Sequence, residues 1–67
     1  MHTQQLPKPG QRVECVLMGA DPDPIPMGAR GTVLRVDPCG VEAHITVAWD
    51  SGRSLNLIAP VDKFRIL

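Results

Sequence analysis

Residues 43–58 read AHITVAWDSGRSLNLI. Ile45, Val47 and Trp49 alternate with His44, Thr46 and Ala48, and after Asp50-Ser51-Gly52 the alternation resumes with Leu55 and Leu57 against Ser54 and Asn56. A period of two is the mark of an extended strand with one face on a core and one toward water. Asp-Ser-Gly between two such runs reads as a tight hairpin turn, because glycine accepts the positive φ that these turns need. The stretch therefore predicts strands over 43–49 and 53–58, paired antiparallel, and commits the chain to an all-β fold.

Upstream, 30–37 (RGTVLRVD) predicts a strand whose core pair, Val33 and Val36, lies three residues apart. A bulge near Leu34-Arg35 reconciles that spacing with an extended chain and bends the strand, as small barrels require. Asp37-Pro38-Cys39-Gly40 reads as the turn into the next strand. Further upstream, 11–18 (QRVECVLM) places Val13, Cys15 and Leu17 on one face. Between these strands, 19–28 (GADPDPIPMG) holds three X-Pro steps, each fixing its own φ and extending the residue before it, so the segment reads as a stiff surface loop. After 58, Ala59-Pro60-Val61-Asp62-Lys63 has room for at most one 3₁₀ turn, and 64–67 reads as a last short strand. Residues 1–9 read as a flexible lead-in and 10–67 as one domain.

Five short strands without an amphipathic helix predict a small five-stranded antiparallel barrel with a Pro-rich loop, closed or half-closed. The expected core is Val13, Cys15, Leu17, Val33, Val36, Ile45, Val47, Trp49, Leu55, Leu57, Val61, Phe64 and Ile66. That core is small. With 67 residues the chain buries roughly 60% of its unfolded surface, so stiff prolines or self-association are needed to help it.

Composition excludes several classes of function. Seven basic and seven acidic residues cancel, leaving no polybasic footprint for nucleic acid or anionic membrane. No apolar run approaches the ~18 residues of a membrane span, and the start of the chain lacks the layout of a secretion signal. Two cysteines make no disulfide framework; Cys15 reads as a small core residue and Cys39 as an exposed turn thiol, both reduced, in a cytoplasmic protein.

No catalytic residue is assigned. His44 points outward on its strand, Ser51 and Ser54 flank a turn, and nothing in the spacing gathers them with a carboxylate. Asp37, Cys39, Glu42 and His44 lie within eight residues but lack the paired Cys/His spacing of zinc sites, and Asp21 with Asp23 are too few ligands for calcium, so no metal and no cofactor is expected. Arg30, Arg35, Arg53 and Arg65 are the candidate nucleic-acid contacts, yet both aromatics, Trp49 and Phe64, fit the core and leave no stacking platform. A protein partner suits the residues better. Prolines 22, 24 and 26 pre-order a loop carrying Ile25 and Met27, so that Asp21, Asp23, Ile25, Met27, Arg30 and Arg53 form the candidate partner-binding set. The competing reading folds Ile25 and Met27 back as a lid over the open end of the core.

Gly10-x-Arg12-Val13, Asp21-Pro22 through Pro26-x-Gly28-x-x-Gly31-Thr32-Val33, Val47-x-Trp49-Asp50-x-Gly52-x-Ser54-Leu55-x-Leu57-Ile58 and Val61-Asp62-x-Phe64-Arg65 together resemble a small domain-of-unknown-function family of bacteria, phages and mobile elements. The resemblance implies an SH3-like barrel and no activity. One departure is the segment Pro38–Glu42, longer and more hydrophobic than the Asp-Gly-like turn expected there. Gly28-x-x-Gly31-x-Val33 is similar to KOW-type barrels, which implies a nucleic-acid-binding alternative. Ser54-Leu55-Asn56-Leu57-Ile58 resembles the plasmid-borne small-barrel dihydrofolate reductases, which implies an oligomeric pore-type enzyme, but the tyrosine of that family's Gln-Ile-Tyr stretch is absent here. The expectation is a non-enzymatic interaction module with a protein partner, of unspecified oligomeric state and not at a membrane; an accessory or anti-defence protein is its most specific form.

Overall fold

The computed structural model describes residues 6–19 and 22–67. Asp21 and the first five residues of the lead-in lie outside the described residues. The described residues form β1 (Arg12–Leu17), β2 (Arg30–Cys39), β3 (Glu42–Trp49), β4 (Leu57–Ala59) and β5 (Lys63–Ile66). All pair antiparallel in one sheet of order β4-β3-β2-β1-β5. β4 and β5 stand at the two ends of that order and share no ladder, so the sheet is open.

Two bulges shape the sheet. On β2, Val33 pairs with Val47 and Arg35 with Thr46, leaving Leu34 as the extra residue at the position the Val33/Val36 spacing indicates. On β1, Cys15 pairs with Phe64 and Leu17 with Lys63, so Val16 is extra. The second bulge overturns an expectation. It shifts the inward face by one residue, so Met18 enters the core and Leu17 is left 64% exposed.

The hairpin between β2 and β3 is tighter than the expected four-residue turn. Pro38 pairs with Ala43 and Cys39 with Glu42, so only Gly40 and Val41 connect the strands. Gly40 has φ 63°, which a two-residue connection with glycine first requires. Pro38 fits inside the strand because β1 covers only Arg30–Thr32 of β2, leaving a free edge where the missing N–H goes unneeded. At the other end of β2, Gly31 packs directly under β3: a Cβ there would lie 2.6 Å from Val47 Cγ1 and 2.8 Å from the Ala48 carbonyl oxygen.

The turn at 50–52 forms as expected, with Gly52 N–H donating to the Trp49 carbonyl at 2.8 Å. The strand expected over 53–58 does not form in full. Its ladder with β3 ends at Leu57. The Trp49 indole N–H takes the Leu55 carbonyl at 2.7 Å, the acceptor that a continued ladder would give to the β3 main chain. Residues 53–56 keep the strand's alternation of half-buried and exposed positions without its pairing.

The core holds Val13, Cys15, Val33, Ile45, Val47, Trp49, Leu57 and Phe64 as expected, with Val36, Leu55 and Ile66 packed at its margin. Val61, expected inside, is 56% exposed, because it lies in the turn between β4 and β5. Met18, Ile25, Ala43 and Ala59 join the core instead. Ile25, placed in the exposed binding set above, is 3% exposed, whereas Met27 is 78% exposed. The loop thus divides its two apolar residues between the roles weighed for it: Ile25 covers the core and Met27 faces water.

Ile25→Ala should lower unfolding free energy by about 2–5 kcal/mol, against a change within about 0.5 kcal/mol for Met27→Ala, as read by urea denaturation. Equal costs at the two positions would mean that Ile25 is not a core residue.

Candidate partner-binding site

The loop between β1 and β2 is held from three sides. From below, Ile25 N–H donates to Met18 Sδ at 3.4 Å and the Ile25 carbonyl accepts from Cys15 Sγ at 3.5 Å. At its exit, Gly28 N–H donates to the Cys15 carbonyl and Cys15 N–H to the Ala29 carbonyl, both at 2.8 Å. From across the fold, the Arg53 guanidinium donates to the Asp23 carbonyl at 2.6 Å and the Pro24 carbonyl at 3.3 Å, and pairs with the Asp23 carboxylate at 3.4 Å. A planar fork bonding two successive carbonyls fixes orientation as well as distance. Asp23 and Arg53, expected to face a partner, therefore bind each other. Their role is to set the loop.

Arg30 and Arg65 converge on one acid. Glu14 pairs in register with Arg30 of β2 and with Arg65 of β5, and its carboxylate reaches Arg30 Nε at 3.2 Å and an Arg65 guanidinium nitrogen at 3.3 Å. Arg35 bonds Asp37 at 2.8 Å. The four candidate nucleic-acid contacts are thus spread over three acids: Glu14 holds two, Asp37 one and Asp23 one. Arg12 makes a two-pronged bond to Asp50 at 2.8 and 2.5 Å and a further bond to Thr32 Oγ1 at 3.1 Å.

The Asp50 pair leaves an electrostatic mark. The Arg12 hydrogen bond holds the Asp50 carboxyl below the ordinary carboxylate value, with the charges of Arg12 and Arg30 adding to it. Burial, aided by the charge of Asp62, pushes the Cys15 thiol up. Cys15 is buried and Cys39 exposed, and both are free, in the positions expected.

Beside the loop lies a cleft of about 420 Å³, within the roughly 300–1,000 Å³ of small-ligand sites. Met18 and Gly19 at the end of β1 line it together with Ser54, Leu55 and Asn56. His44 and Asp62 also line it. Asp62 is 5% exposed, although at sequence level it stands only in a turn and in the string Val61-Asp62-x-Phe64-Arg65, with no role attached. It accepts from Gly19 N–H at 2.6 Å and Ile58 N–H at 2.8 Å, while its own N–H donates to the Ile58 carbonyl at 2.7 Å. One carboxylate thus joins the end of β1 to the turn that follows β4.

His44 and Ser54 share the cleft without a hydrogen bond between them, and Asp37, across the ladder from His44, is held by Arg35. Asp37 with His44 and Cys39 with Glu42 form two cross-strand pairs of the β2–β3 hairpin, separated by the Pro38–Ala43 pair. Among the described residues no three such side chains come close enough to hold a metal ion.

A family model described as a domain of unknown function, DUF4314, matches residues 3–67. The chain belongs to this family. No curated protein and no solved structure matches it. Among the described residues no helix is long and apolar enough to cross a membrane.

Two outcomes follow from the site's chemistry. Native protein treated with iodoacetamide should be alkylated at Cys39, and at Cys15 only after unfolding; early modification of Cys15 in native protein would place its thiol outside the core. The Asp50–Arg12 contribution to stability is present above the ordinary carboxylate pKa and lost as pH falls through the lowered value. Arg12→Gln should raise the Asp50 titration midpoint toward the ordinary value by carboxyl ¹³C NMR, and an unmoved midpoint would mean that the pair is not formed in solution.

Proposed function

We propose that this domain is a non-enzymatic interaction module that binds a protein partner beside its clamped Pro-rich loop. The observation that carries the reading is the Arg53 clamp. It ties the Asp23-Pro24 turn of the loop to the segment entering β4, so a partner meets a surface that is already ordered and loses little entropy there. Met27 projects from that ordered loop as an exposed apolar side chain, with Arg30 close behind it in sequence.

The fold in this reading is an SH3-like barrel whose open side is bridged by the loop. The phage or mobile-element setting, and the anti-defence form of the function, rest on the family resemblance. A KOW-like nucleic-acid binder is the less supported alternative. Its four arginines are each engaged by an acid of the same chain, and releasing them would cost those bonds. The oligomeric reductase-like enzyme is weaker still, since Asn56-Leu57-Ile58 stands where that family has Gln-Ile-Tyr.

Affinity capture with the tagged domain from a bacterial lysate, run with and without nuclease, tests the reading. A specific protein that survives nuclease and is lost with Met27→Glu is expected. Recovery of nothing but nuclease-sensitive material, with an affinity that falls steeply with salt, would transfer the function to the arginines.

A further inference from the structure

The segment 53–56 is an unfinished strand. Extending the alternation of β4 backwards, Leu55 turns its main chain toward β3, where its carbonyl meets the Trp49 indole, and Ser54, Asn56 and Ile58 turn theirs away. At Ile58 that outer edge is closed, since Asp62 takes both the N–H and the carbonyl. At Ser54 and Asn56 it is open: no hydrogen bond joins their main-chain or side-chain groups to another described residue. Both residues line the cleft, together with Met18 and Gly19. The cleft therefore presents two N–H groups and two carbonyls at strand spacing, beside the apolar lining residues Met18 and Leu55. Beyond Asn56 along the same edge stands Asp62, the one carboxylate among the described lining residues. Its carboxylate accepts two hydrogen bonds from the protein, about half its capacity.

We propose that an extended peptide segment of a partner protein, carrying a basic side chain, adds as a strand along the Ser54–Asn56 edge and directs that side chain to Asp62. Main-chain pairing supplies affinity and the cleft supplies selection, as in other strand-addition complexes. The charge of Asp62 selects a cation, and the aliphatic stem of a lysine or arginine suits the apolar lining residues Met18, Leu55 and Val61. Asp62 also fixes where the added strand stops, because Ile58 has no free group beyond it. This inference rests on the protein-binding reading above and assigns its contact surface.

The probe is a blocked pentapeptide alternating valine and threonine around a central lysine, titrated into ¹⁵N-labelled protein. Saturable shifts at the Ser54 and Asn56 amides are expected, with their exchange with water slowed. The same peptide with glutamate for lysine should bind at least about tenfold more weakly, the scale of one charge-assisted hydrogen bond. Ser54→Pro removes an outward N–H without touching the β3 ladder and should weaken binding by a similar factor, while Ser54→Ala leaves it within about twofold. Where the proline variant does not fold, alternate N-methylation of the peptide makes the same test from the ligand side and should abolish the shifts. Absence of saturable shifts at Ser54 and Asn56, or equal binding of the N-methylated peptide, overturns the assignment. A partner captured from lysate as well by Ser54→Pro as by the unchanged domain removes the edge but leaves protein binding intact; failure to capture any protein removes the broader reading itself.

Discussion

The core of this domain is completed by a loop. Five short strands in an open sheet leave one side of a small apolar centre uncovered, and Ile25, in the middle of a Pro-rich connection, covers it. The surroundings of Ile25 are arranged to keep it there. The bulge at Val16 turns Met18 inward, where its sulfur receives the Ile25 N–H, and the Cys15 thiol donates to the Ile25 carbonyl. Prolines 24 and 26 reduce what the loop loses in chain entropy when it is fixed. Arg53 then closes the arrangement from outside. A 67-residue chain with one Trp and one Phe has little other apolar bulk with which to seal its interior.

The same requirement shapes the surface. Because the loop is bound to the core, its outer side is a fixed relief, with Met27 exposed on it. Arg53 holds the loop and the Trp49 indole holds Leu55, while the outer edge of the same segment, at Ser54 and Asn56, is left unpaired beside the cleft. Asp62 stitches the end of β1 to the turn after β4 and blunts the rest of that edge. Stability and recognition surface therefore draw on the same few side chains.

Much of this could be read in the sequence where a pattern has one physical meaning. Strict alternation over 43–49 has no other solution than a half-buried strand, and the spacing of Val33 and Val36 requires one extra residue between them. The bulge on β1 was hidden because Leu17 and Met18 are both apolar, so either fits the inward position and only pairing with β5 decides. Residues 53–58 alternate like a strand, but an indole N–H competing for one carbonyl is a tertiary event that alternation does not encode. The site was legible as a loop and a set of arginines, not as contacts. Asp23 and Arg53 were found as separate candidates although they are thirty residues apart and bind each other. Asp62 stood in the family-like string Val61-Asp62-x-Phe64-Arg65 without a role, since a buried aspartate in a turn differs from an exposed one only by what packs over it.

Native-state amide hydrogen exchange tests the central claim, that the loop is part of the core and not a flap on it. The amides of Ile25, Gly28 and Ala29 are expected to exchange only through global unfolding, with the same opening free energy and denaturant dependence as Val33 and Ile45. Exchange of those loop amides through a local opening far cheaper than global unfolding, while the strands stay protected, would contradict it.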